Sequence, residues 1–157
     1  MTASIRNILL PTDFGTTSER AAEYAAGLAR AFDASVHLLH VIEAPTIRPR
    51  SVHSEEAFDR RYHDRRARLA AMAAAHVRPA TERITLEVRT GKPAQAIVDA
   101  AIDYGADLIV MSAPARSAVP AARMRSVAET VLDTAPCPVL QVRHSGAAQV
   151  HFAGRVA

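Results

Sequence analysis

Pro11-Thr12-Asp13 ends the apolar run Ile5 to Leu10 and sets a carboxylate where a buried strand would stop. Farther along, Ser126-Val127-Ala128-Glu129 has the spacing of a capping box, in which the serine hydroxyl accepts from a backbone N–H and the glutamate reaches back to the cap. A helix opened there points free N–H groups and the positive end of its dipole forward, which favours an anion. Between the two, Ser112 to Arg125 contains Arg116, Arg123 and Arg125 and no acid. Guanidinium forks match carboxylate and phosphate oxygens. A carboxylate, a helix N-terminus and an arginine-bearing loop are parts of a site for a small anionic ligand.

Other chemistry is weighed and set aside. Gly91-Lys92 suggests a phosphate-binding loop, but that motif needs a glycine five residues before the second, where this chain has Leu86. Asp13 suggests a phosphoacceptor, yet the first strand is flanked by Arg6, Asn7 and Thr12 instead of further acids, and no lysine follows Lys92. Asp13 also serves simply as a turn or helix-entry residue. His37 and His40 are three apart on a strand, so alternation sends them to opposite faces and they cannot chelate one metal. No metal-ligand cluster of the usual spacing is present. Cys137 lies between Pro136 and Pro138 with no base beside it, the pattern of a small buried residue. No serine–histidine–acid or paired-carboxylate set can be assembled, so no catalytic residue is assigned and an enzyme is the less favoured reading.

The elements that would position these residues follow from periodicity. Val36 to Ile42, Asp107 to Met111 and Pro138 to Val142 are apolar runs of strand length, as is Ile5 to Leu10. Ile84, Leu86 and Val88 alternate with Thr85, Glu87 and Arg89, the pattern of a strand near a sheet edge. Alanine-rich Thr17 to Phe32 reads as a helix, with Thr16 and Glu19 at capping-box spacing. Ser54-Glu55-Glu56 opens a second helix with an inner stripe of Phe58, Tyr62, Leu69 and Ala73. Its arginines are interleaved with acids, and Glu56–Arg60 and Asp64–Arg68 are four apart with the acid first, which predicts a solvated face. Pro93 stands at a tolerated first helical position, and Ser126 opens the last helix. Five strands alternating with four helices predict an α/β fold: a doubly wound parallel sheet with helices on both faces. Ligands of such sheets bind beyond the carboxyl ends of the strands where strand order reverses. Pro11, Thr12, Asp13 and the loop from Ser112 are delivered there.

The bulk properties agree. A chain of 157 residues fits one domain, burying roughly 70% of its unfolded surface. One cysteine excludes an internal disulfide. No run reaches the roughly 20 apolar residues of a membrane span, and the first ten residues lack a signal-peptide pattern. A cytoplasmic protein is expected. The net charge of +3 is modest, and the scarcity of aromatics with no tryptophan argues against a nucleic-acid surface.

Six segments in series carry a resemblance. They are Ile8 to Phe14 (ILLPTDF), Val36 to Val41 (VHLLHV), Gly91 to Ile97 (GKPAQAI), Asp107 to Met111 (DLIVM), Ser126 to Val131 (SVAETV) and Ala135 to Leu140 (APCPVL). In this order and spacing the chain resembles the universal stress protein family over residues 5–143. The resemblance implies sheet order 3-2-1-4-5 for a domain over 1–144, followed by a tail over 145–157. It also implies a homodimer through the last strand, residues 138–143. ATP-binding members carry a loop of Gly, two residues, Gly, nine residues, Gly, then Ser or Thr. Here the glycine positions hold Ser112, Ala115 and Arg125, and Arg116 to Met124 form the spacer; only Ser126 matches. Glycines let backbone amides approach phosphates, which a β-carbon would obstruct. Asp13 and Val41, on the nucleoside side, are kept, and Met111 and Val127 border the same loop. The expectation is a dimeric regulatory or binding module without ordinary ATP binding, taking no cofactor. The alternative is a stress protein that binds an adenine nucleotide, ATP, and hydrolyses it slowly if at all.

Overall fold

Asn7–Pro11 (β1) lies at the middle of the sheet because both its faces and both its edges are covered. The computed structural model describes residues 4–44, 52–113, 126–143 and 149–151. After β1 come Ser18–Phe32 (α1), Ser35–Glu43 (β2), Val52–Met72 (α2) with a π-helical turn at Ala73–Val77, Ile84–Gly91 (β3) and Pro93–Asp103 (α3). Leu108–Ser112 (β4), Val127–Thr134 (α4), Val139–Val142 (β5) and Gln149–His151 (β6) complete the described elements. The strand order is β3-β2-β1-β4-β5-β6, and the first five strands are parallel. β3 takes the edge that its alternation predicts.

The two-residue period sorts the side chains into two cores. Ile8, Leu10, Val36, Leu38 and Val110 face α1 and α2, together with Ala21, Ala22, Ala25 and Ala29 of α1. Leu9, Leu39, Ile109 and Val139 face α3 and α4, with Ile97, Ala100, Ala101 and Val131. The alanines let α1 approach the sheet closely. Cys137 joins the second core, and burial, with Asp107 nearby, pushes its thiol up to about 11.

Several expectations are corrected. The sheet has a sixth strand, β6, antiparallel to β5, within the tail over 145–157. The β5 edge, through which a homodimer is expected, is paired with β6 of the same chain. The Thr16–Glu19 capping box does not form. The N-cap is Thr17, without a side-chain cap bond. Glu19 thus falls one position short of its box register, and Asp13 organises the helix entry instead. α2 begins two residues before Ser54, and Phe58 of its expected inner stripe is 41% exposed. Of that stripe only Leu69, in the last turn of α2, and Ala73, in the π-helical turn after it, are fully buried. Asp64 pairs with the adjacent Arg65, and Arg68 lies over the Phe14 ring, 4.2 Å from its centroid. No described helix is long and apolar enough to cross a membrane.

Candidate functional site

β1 ends by extending its ladder one bond beyond the strand. The Thr12 N–H donates to the Leu39 carbonyl at 2.8 Å, and the Thr12 side chain accepts from the Phe14 N–H at 3.0 Å. Asp13 then closes the turn: Oδ1 accepts from the Gly15 N–H at 2.7 Å and from the Ser18 hydroxyl at 2.9 Å. Its other oxygen, Oδ2, takes no hydrogen bond among the described residues. Phe14 sits at φ 61°, a left-handed conformation that a large side chain adopts only where its surroundings impose it.

On the far side of β1, α4 opens with the predicted capping box. The Glu129 N–H donates to Ser126 Oγ at 3.2 Å, and the Ser126 N–H donates to Glu129 Oε2 at 3.0 Å. The box fixes the direction of α4, whose N-terminus borders a cleft of about 520 Å³ at the carboxyl ends of β1, β2 and β4. Pro11, Thr12, Asp13, Val41, Met111 and Ser112 line this cleft, as do Ser126 and Val127. The remaining candidates, Ala115, Arg116 and Arg125, lie outside the described residues. A broader groove of about 620 Å³ on the outer side of α1 is lined by helix side chains such as Glu19, Glu23 and Tyr24. It touches the first turn of α1 but meets no strand end, whereas ligands of such sheets bind beyond the strand ends, so the smaller cleft is the candidate site.

The cleft also takes residues that the sequence reading did not select: Gly15, His40, Glu43, Pro93 and Ile97. The signal for His40 and Glu43 was their place in the last residues of β2. His40 Nδ1 is 2.8 Å from the Thr12 carbonyl, which accepts, so the proton sits on Nδ1. Burial pushes this imidazole below its ordinary 6.5. The Thr12 carbonyl opposes that shift, Arg65 and Arg68 add to it, and Asp13 opposes it weakly.

The second histidine belongs elsewhere, as alternation requires. His37 stacks on Tyr104 with centroids 4.1 Å apart, and its Nε2 is 3.3 Å from Asn7 Oδ1. Tyr104 donates to Glu87 Oε2 at 2.7 Å, while Arg89 bonds Glu87 at 2.8 Å and Asp103 at 2.9 Å. Burial raises the Glu87 carboxyl, but the bonds from Arg89 and Tyr104 outweigh it and hold it below 4.5. This network ties α3 to the β2–β3 edge. Among the described residues, no group of three or more His, Cys, Asp and Glu could hold a metal ion.

Residues 4–143 match the model of the universal stress protein family. A Thermus aquaticus universal stress protein, named for its place in the QAH/OAS sulfhydrylase 3′ region, is 37% identical over 139 residues, spanning 88% of this chain and 98% of its own. The structure of MJ0577 from Methanocaldococcus jannaschii superposes with a TM-score of 0.75 at 25% identity, covering 92% of this chain and 99% of that one. A universal stress protein in complex with cAMP superposes at 0.70 and 22% identity, covering 90% and 99% of the two chains. One from Archaeoglobus fulgidus in complex with dAMP superposes at 0.61 and 20%, covering 89% and 98%.

The last two structures correct the expectation of a module without ordinary nucleotide binding. Adenine nucleotides are held by proteins of this fold.

Proposed function

The chain belongs to the universal stress protein family, and we propose that its cleft binds an adenine nucleotide. The observation that carries this reading is the juxtaposition across β1. Oδ2 of Asp13, which takes no hydrogen bond among the described residues, lies on one side, and the N-terminus of α4 at Ser126 and Val127 lies on the other. In this reading Asp13 accepts hydrogen bonds from ribose hydroxyls. Val41, Met111 and Ile97 form apolar walls for the base. The first N–H groups of α4 receive a phosphate, favoured by the helix dipole. The cleft volume of about 520 Å³ falls within the range of roughly 300–1,000 Å³ usual for small-molecule sites.

Titration calorimetry with cAMP, AMP and ATP tests the reading. At least one should bind with micromolar affinity, while a guanine nucleotide binds more weakly. Absence of binding by all three at millimolar concentration would overturn it.

Gly15 supplies a sharper check. An added β-carbon there would stand 2.9 Å from Asp13 Oδ1 and 3.5 Å from Cγ, so the carboxylate must turn away. Gly15→Ala should weaken nucleotide binding about tenfold, the size of one hydrogen bond. The melting temperature should move by no more than about 4 °C, because the atom that yields is the end of a side chain. Unchanged affinity would show that the carboxylate orientation does not matter.

A further inference from the structure

We propose that His40 is a positioning residue that makes nucleotide binding in this cleft pH-dependent: neutral, it holds the β1–α1 loop and Asp13 in their binding arrangement, and protonated, it disturbs them. The proposal rests on the adenine-nucleotide reading of the cleft and adds its regulation.

Three contacts place His40 behind the loop. Its Nδ1 donates to the Thr12 carbonyl at 2.8 Å, fixing the residue just before Asp13. Its ring lies 4.6 Å from the Phe14 ring, tilted by 33°, fixing the residue just after. Phe14 also receives the Arg68 guanidinium at 4.2 Å, so α2 and β2 hold the same strained residue. Asp13 is thus clamped on both sides through one imidazole, and His40 itself borders the cleft.

The charges around it decide what a proton would do. From α2, Arg65 and Arg68 face it and repel a cation. From the loop, the Thr12 carbonyl and the Asp13 carboxylate attract one. On the β3 side its register partner is the uncharged Val88. Glu43, three residues on and so on the opposite face of β2, also lines the cleft. With Nδ1 already protonated, the added proton goes to Nε2. The resulting cation competes with the ligand for the Asp13 carboxylate and adds charge beside Arg68 on the Phe14 ring. Burial of the ring sets the same direction. A histidine that resists protonation in the folded state leaves stability untouched above its ordinary 6.5 and withdraws it as pH falls through that value.

The test is calorimetric titration of the full chain with cAMP, whose phosphodiester keeps one charge across the range used. Affinity should fall about three- to fivefold between about pH 8 and about pH 5.5, the part of a one-unit pKa shift that shows at that pH for a histidine held below its ordinary value. His40→Asn keeps an N–H donor but does not titrate, and it should bind with an affinity that is flat across the same range. Arg68→Gln removes one repelling charge and should move the midpoint of the profile to higher pH. The imidazole C–H resonances of the wild-type chain give an independent measurement, since the His40 titration must coincide with the loss of affinity. A wild-type profile that is flat, or one that His40→Asn reproduces, overturns the proposal and leaves the nucleotide reading standing. Failure to bind cAMP, AMP or ATP at any pH overturns both.

Discussion

Asp13→Ala is expected to weaken adenine-nucleotide binding by about 10- to 150-fold, the consequence of losing roughly 1.5–3 kcal/mol from hydrogen bonds to a charged group. The carboxylate has two separable tasks. Oδ1 receives the Gly15 N–H and the Ser18 hydroxyl and so builds the loop. Oδ2 takes no hydrogen bond among the described residues, and in the proposed reading it is the oxygen that meets the ligand. Alanine removes both tasks, whereas Asp13→Asn retains an acceptor for the loop and loses the charge. The two variants should therefore differ in stability more than in affinity. Calorimetry beside thermal melts separates them. If both variants bind within about twofold of the parent, a difference too small for one hydrogen bond, Asp13 does not touch the ligand.

Leu69→Ala is expected to cost about 2–5 kcal/mol of unfolding free energy, through lost burial and the cavity left behind. Leu69 is fully buried against the sheet, while the charged first half of α2 makes no comparable contact. Urea unfolding should show a lower midpoint with an unchanged slope, and the melting temperature should drop by about 4–20 °C for a domain of this size. A second consequence follows from what α2 carries. Arg66 donates to the Leu86 carbonyl at 2.9 Å, and Arg68 covers Phe14. Loosening α2 should thus weaken nucleotide binding even though Leu69 does not line the cleft. A cost below about 1 kcal/mol would mean that the site collapses around the gap.

These two residues also mark how much was legible beforehand. Leu69 and Asp13 were both readable, one from helical spacing and one from its place after an apolar run. Phe58 was misread, because spacing gives the direction of a helical stripe but not where the helix runs past its partner. The conclusion drawn from Ser112, Ala115 and Arg125, a module without ordinary nucleotide binding, was overturned by adenine nucleotides bound in proteins of this fold.

By itself the sequence determined whatever depends on near neighbours. The strand alternation that divides Leu9 from Ile8 and Leu10, the Ser126–Glu129 box and the entry of α3 at Pro93 are all written within a few residues, because their geometry repeats every two or every 3.6 positions. Tertiary structure alone decided contacts between distant segments. The Asp107 carboxylate accepts from the Arg6 and Asn7 N–H groups at 2.8 and 2.9 Å, about a hundred residues away. His40 reaches Thr12 across 28 residues. Asp13 displaced the Thr16–Glu19 box because the loop folded back onto its carboxylate, and β6 covered β5 because an open edge leaves its N–H and C=O groups unpaired. No local period encodes these pairings. They arise only when the sheet brings its strand ends together, and the candidate site lies there.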